Sequence, residues 1–258
     1  MKSVLNPSVY GHLIDRYLFN FRVDPEVLQS HLPPVGWLRP RVINGYGVVS
    51  FCLLRLEGVT LWPLPLQLGF DTISCAYRCA VIDKSGTNPE PSVYVLGRNT
   101  NLPIAGRFGS ILFSGAMNMI RSSIETLQSH VNIRASFLEG QELFSAKARL
   151  QQADIKSSSK LFGSLEDFVD FIKGGESSYT PSTRKDRYSR VDLTEDSSYY
   201  ESVDATIDYS WLDRLWPEAK LVFDSAFHAR GGRYRLKYLG SVPAHQDIHL
   251  LQAPATGC

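Results

Sequence analysis

Over much of the chain apolar and polar residues alternate with period two, the repeat of a strand that buries one face. Ile73, Cys75, Tyr77, Cys79 and Val81 fall on one face of such a run, and Thr72, Ser74, Ala76, Arg78 and Ala80 on the other. The same pattern predicts strands over Val48 to Leu56, Ser92 to Arg98, Asn132 to Leu138, Leu143 to Leu150 and Leu221 to Leu239. These runs are rich in Val, Ile, Phe and Tyr and are bounded by Gly, Pro, Asn or Asp. Glu139-Gly140-Gln141 reads as a hairpin turn and Asp83 to Pro91 as a longer loop.

Helical signals are short and few. Asp24-Pro25-Glu26 combines a cap, a first-turn proline and an acid favoured by the helix dipole, and Pro33-Pro34 stops the helix. Ser164 and Asp167 open a second helix, with Leu165, Phe168, Val169 and Ile172 on one face and Gly174-Gly175 at its end. A third is predicted over Tyr209 to Leu215, before Pro217. Ile155 to Lys160 and Ser177 to Arg190 have the composition of linkers, yet strand and helix signals resume on both sides. The expectation is a single domain over residues 1–258, α+β and mainly β, built on a strongly curved or closed antiparallel sheet with a few short helices.

Composition narrows the function classes. Lys and Arg total 27 against 26 for Asp and Glu, a net charge of +1 that supplies no general field for nucleic acid or an anionic membrane. The N-terminal run is broken by His12, Asp15 and Arg16 before it reaches signal-peptide length, and no stretch approaches the roughly 20 apolar residues of a membrane helix. A cytoplasmic protein with reduced thiols is expected. Cys75 and Cys79 share an apolar strand face and Cys52 lies in VVSFCLL, the setting of buried, inert thiols; Cys258 is a tail residue. The histidines are scattered, with no H-E-x-x-H, and no C-x-x-C, G-x-S-x-G, phosphate-binding or dinucleotide-binding motif occurs. No metal and no cofactor are expected.

Two polar clusters carry candidate chemistry. In VFDSAFHARGG, alternation places Asp224, Ala226, His228 and Arg230 on one face, opposite Phe223, Ser225 and Phe227. A carboxylate orienting an imidazole beside a guanidinium forms a small ionisable site; a solvent-facing strand with cross-strand ion pairs explains the same spacing. In YVLGRNTNLPIAGRFG, Tyr94 and Arg98 share a face and Arg107 sits among small residues that admit a ligand close to the backbone. Here too a plain alternative stands, with Asn99, Thr100 or Asn101 capping a turn. The run Arg184-Lys185-Asp186-Arg187 alternates in sign and reads as a solvated loop.

RYLFNFRVDPEVLQSHLPP followed by VINGYGVVSFCLLRL resembles the opening of the YqjF-like proteins, a group of uncharacterised bacterial proteins. SVYVLGRNTNLPIAGRFGSILFSG looks like their central block and LVFDSAFHAR like their late strand, so the resemblance covers roughly residues 9 to 243. That group is related to acetoacetate decarboxylase. The resemblance therefore implies a cone-like antiparallel β-barrel with an internal pocket for a small molecule, and leaves homo-oligomer formation open because decarboxylase relatives form oligomers. The decarboxylase attacks a β-keto acid through a lysine of depressed pKa that follows a Gly-Phe-Pro turn. The matching stretch here is LFSGAMNMI, and no lysine occurs between Lys84 and Lys147. Nearer relatives often carry histidines where Ala116, Met117 and Asn118 stand.

The expected function is thus a small-molecule-binding barrel acting on, or only binding, a carbonyl or carboxylate metabolite without a lysine imine. His228 with Asp224 are the expected acid–base residues, and Arg98, Arg107, Arg230, Tyr94 and Asn118 the expected substrate contacts. A non-catalytic ligand-binding or scaffold protein of the same fold is the alternative.

Overall fold

In a computed structural model the chain is described over residues 8–106, 115, 117–152 and 159–245. The described elements are β1 (Ser8–Val23), α1 (Pro25–His31), β2 (Leu38–Pro40), β3 (Val42–Ile43), β4 (Tyr46–Leu61), β5 (Phe70–Asp83), β6 (Glu90–Val95), β7 (Arg98–Thr100) and β8 (Met117–Leu127). They continue with β9 (His130–Phe137), β10 (Glu142–Gln152), α2 (Leu165–Lys173), β11 (Ser177–Pro181), β12 (Arg187–Asp196), β13 (Tyr199–Ser210), α3 (Trp211–Leu215), β14 (Val222–Arg230) and β15 (Arg233–Pro243). A further helical turn lies at 103–106.

All these strands join one sheet, in the order β14-β13-β10-β9-β8-β7-β5-β6-β11-β12-β15-β1-β4-β3, with β2 on β5. Two additional pairings, β4 with β5 and β14 with β1, close the sheet on itself twice. One ring runs β5-β6-β11-β12-β15-β1-β4. The other runs β14-β13-β10-β9-β8-β7-β5-β4-β1, so β1, β4 and β5 form a wall common to both. Pairing is antiparallel apart from β6–β11 and β7–β8, which are parallel. The expectation of a closed, mainly β fold holds.

The shared wall explains a sequence feature that alternation alone does not. Gly47 to Leu54 of β4 is buried at every residue, because both faces of the strand look into an interior. On one side Phe19, Phe51, Tyr77 and Phe144 pack together, with the Phe51 and Phe144 rings stacked at 3.9 Å. On the other, Leu18, Cys52 and Leu54 meet Phe162, Phe168 and Phe227.

Helix α2 forms as its signals predict. The Ser164 hydroxyl accepts from the Asp167 amide at 3.1 Å, acids occupy the first turn, and Lys173 ends the last. Phe168 anchors it, stacked on Phe227 at 3.5 Å and fully buried. The buried thiols follow the prediction as well: burial pushes Cys75 and Cys79 well above the usual thiol range. Cys258 lies outside the described residues.

Three expectations need correction. The helix expected from Tyr209 begins only at Trp211, because Tyr209 and Ser210 continue β13 opposite Ser145 and Phe144. The linker-like Ser177 to Arg190 is β11 and the start of β12, joined by an exposed turn at 183–186; within the strands Ser178, Thr180 and Ser189 are buried, Ser178 donating to the Val191 carbonyl at 2.9 Å. Leu221 to Leu239 is two strands, split at Gly231-Gly232, whose φ values of 71° and 103° suit glycine alone.

Candidate functional site

The ring β5-β6-β11-β12-β15-β1-β4 is not filled by its own side chains. It encloses a cavity of about 1030 Å³. Leu54 and Leu56 of β4, Val93 and Val95 of β6, and Leu193 and Leu236 supply apolar walls, and α2 contributes Leu165, Val169 and Ile172. The strand face that reads Thr72, Ser74, Ala76, Arg78 in the sequence points inward, its small side chains leaving the space that bulkier ones would occupy.

Charge inside this apolar volume is uneven. Arg16 and Glu195 neutralise each other, with Arg16 Nη1 2.6 Å from Glu195 Oε2 and both side chains buried. Tyr200 ties the pair together: its hydroxyl donates to Glu195 Oε1 at 2.8 Å and accepts from Arg16 at 3.0 Å. Burial alone would push the Glu195 carboxyl up, but Arg16 and hydrogen bonds from Ser198 and Tyr200 hold it below the usual value. Burial disfavours the Arg16 charge too, and there Glu195 and Tyr200 reverse the effect.

Arg78 and Arg98 have no such partner. Neither has a carboxylate within ion-pair distance among the described residues. Arg98 donates from Nε to Thr180 and from Nη2 to Ser178, each at 3.1 Å, which fixes the guanidinium without neutralising it. The Nε of Arg78 is buried with no hydrogen-bond partner. Burial pulls the Arg98 guanidinium down to about 10; Tyr234 opposes the shift and the like charge of Arg78 adds to it. Tyr234 is pushed up by burial and eased back by Arg78 and Arg98. The remaining charged residues on the lining, Lys173, Glu176 and Asp196, are exposed. The interior thus keeps two uncompensated cations, an arrangement that an anion relieves.

Arg98 is therefore the one sequence-predicted site residue that lines the cavity among those described. Tyr94 faces the other core beside Tyr188, because the chain leaves strand conformation at Leu96-Gly97 and the alternation does not carry across to Arg98. Asn118 is exposed and donates to Asn99 at 3.2 Å. Asn99, Thr100 and Asn101 act as local braces: Thr100 accepts from the Leu102 amide at 3.1 Å, and Asn101 from Ile73 at 2.9 Å. Arg107, like Ala116, lies outside the described residues. Arg230 is exposed, its guanidinium 5.5 Å over the Tyr199 ring.

Asp224 and His228 are not brought together. The β1–β14 register shifts opposite Asn20/Phe21, so Asp224 becomes an extra residue and leaves the face that holds Ala226 and His228. Asp224 instead pairs with Arg22 at 2.9 Å and accepts from the Ser159 hydroxyl at 2.5 Å and the Lys160 amide at 2.9 Å. His228 stacks on Tyr17 at 4.7 Å, with Nε2 2.9 Å from Asp15 and Nδ1 2.9 Å from Glu201. Arg55 covers Asp15 from the far side at 2.5 Å. Neither Asp224 nor His228 is on the cavity lining.

Sequence reasoning missed Arg78, Arg16, Glu195 and Tyr234. For Arg78 a signal existed: a lone cation among Thr72, Ser74, Ala76 and Ala80, on a strand whose other face is wholly apolar. Arg16 had a weaker one, a charge directly before the apolar run from Tyr17. Glu195 sits in the polar segment 192–198 and had none. Among the described residues no group of three or more His, Cys, Asp or Glu is placed to hold a metal, and no helix is long and apolar enough to cross a membrane.

No family model matches the chain, and no curated protein matches it in sequence. Solved structures do share its fold. Acetoacetate decarboxylase from Legionella pneumophila superposes with a TM-score of 0.58 at 15% identity, covering 90% of this chain and 86% of that one. The enduracididine biosynthesis enzyme MppR complexed with pyruvate has a TM-score of 0.58 at 12% identity, over 95% and 93% of the two chains. An acetoacetate decarboxylase-like enzyme from Sphingomonas wittichii gives 0.58 at 11% identity, over 92% of each. The chain has the acetoacetate decarboxylase-like fold.

Proposed function

We propose that the protein binds a small carboxylate- or carbonyl-bearing metabolite inside the cavity, with Arg78 and Arg98 as the anion contacts, and forms no imine with it. The observation that carries this reading is a pair of inward guanidiniums without a carboxylate in a predominantly apolar chamber. A solved neighbour holding pyruvate supports the ligand class. The order of the sequence blocks supports kinship with the YqjF-like proteins. Balanced net charge argues against a nucleic-acid partner, and the unpaired Cys52, Cys75 and Cys79 favour a cytoplasmic setting.

Non-catalytic binding is the better supported form of this function. General acid–base work needs a group that gains and loses a proton near neutral pH. Glu195, the buried carboxylate on the lining, is held by Arg16 and Tyr200 and shifted away from neutrality. His228 is engaged by Asp15 and Glu201 away from the lining. Lys173 is the one lysine on the lining among the described residues, and it is exposed at the end of α2. An imine-forming amine must shed its proton, which takes burial or a cationic neighbour acting on a group of free pKa about 10.4. Borohydride reduction in the presence of acetoacetate or pyruvate should therefore leave the intact mass unchanged. A single reduced adduct, mapped to one lysine, restores the imine mechanism and contradicts the reading.

A further inference from the structure

The cavity is far larger than a short keto acid requires. At about 1030 Å³ it stands at the top of the range of about 300–1,000 Å³ usual for drug-sized ligands. Its cationic end and its apolar rim are also well separated. Phe70, at the start of β5, is 51% exposed and lines the cavity; Arg78 lies eight positions further along the same strand. At about 3.3 Å per residue that is roughly 26 Å of strand. Leu64 and Leu68 join Phe70 on the lining near this rim and are 53% and 64% exposed, with Trp62 beside them 70% exposed. A molecule of a few heavy atoms seated at Arg78 and Arg98 leaves most of the leucine and valine surface facing water that enters at the rim, which is unfavourable for apolar surface.

Resting on the proposed function and extending it, we infer that the ligand is an amphiphile: one anionic head, carboxylate or phosphate, held by Arg78 and Arg98, and an extended apolar body lying between Leu54, Leu56 and α2 toward Leu64 and Leu68. The head satisfies the two unpaired cations and the body fills the apolar chamber. Exposed apolar side chains at the rim then form the entrance through which the chain passes.

The test is equilibrium binding of a saturated series, butanoate, hexanoate, octanoate and decanoate, below micelle-forming concentrations, with acetoacetate, decanol and decyl phosphate alongside. Affinity should rise about fourfold per added methylene, as expected when each is transferred from water to an apolar site. Decanol should bind at least tenfold more weakly than decanoate or decyl phosphate, and stoichiometry should be one. Whichever of the two anions binds more tightly identifies the head. The uncharged control requires no variant, so a folding defect cannot mimic the result. Tight acetoacetate binding with no gain along the series overturns the amphiphile and leaves the proposed function standing. Decanol matching decanoate overturns the role of the arginine pair. Binding of no acid of any length overturns both readings.

Discussion

Replacing Arg98 with leucine is expected to weaken binding of the cavity's anion by about 30-fold or more, and Arg78→Leu by a similar factor. Truncating one partner of a buried, hydrogen-bonded charge pair costs about 2–5 kcal/mol, and 1.4 kcal/mol is a factor of ten. Arg98 is pinned by Ser178 and Thr180, so its fork is oriented before the ligand arrives and little is lost in ordering it. Arg98→Lys keeps the charge but loses the planar fork, and should fall between wild type and leucine. Arg134→Leu, whose side chain is 73% exposed on β9, should bind as wild type does. Titration calorimetry with decanoate measures all four variants, and thermal melts show that each is folded. Because leucine removes an uncompensated cation, the Arg78 variant should melt no lower than wild type without ligand; lost binding together with a raised melting temperature would set the site apart from a structural ion pair.

Glu195→Gln should have the largest effect on stability, a loss of about 3–5 kcal/mol at neutral pH, because the Arg16 charge is then buried without its counter-ion. Removing both charges together, as Arg16→Leu with Glu195→Leu, should recover much of that loss. The pH dependence has a definite sign. The folded carboxyl titrates below its ordinary value of 4.5, so the pair's contribution is complete above that value and is lost as pH falls through the lower, folded one. Wild-type stability should therefore drop below about pH 4.5, and the Glu195→Gln variant should show a shallower drop. Urea denaturation at pH 7 and at pH 4 separates the two; equal acid slopes in both proteins would mean that Glu195 is not the group responsible.

The strands were legible in the sequence where one face is buried and the other wet, as in β9, or where a clear turn bounds them, as between β9 and β10 at Gly140. Legibility failed where alternation does not map onto inside and outside. In β14 the register shift at Asp224 exchanges the face of one residue, so the predicted Asp224–His228 pair never forms. In β6 and β7 the break at Gly97 separates Tyr94 from Arg98 in the same way. The segment 177–190 looked like a linker because its hydroxyls find their partners inside the fold, Ser178 and Thr180 accepting from Arg98 and Ser178 donating to the Val191 carbonyl, a property composition does not reveal. Arg78 escaped notice for a related reason. An arginine on the second face of a strand normally meets water, and only the second closure of the sheet turns that face inward.

The central claim is that Arg78 and Arg98 hold an anion inside the ring of β1, β4, β5, β6, β11, β12 and β15. A crystal structure of the protein with decanoate tests it most directly. The predicted result is a carboxylate with oxygens within about 3 Å of both guanidiniums and an acyl chain running toward Leu64 and Leu68. A carboxylate resting on Lys173 or on the outer surface, with the two arginines still unpaired, would contradict it.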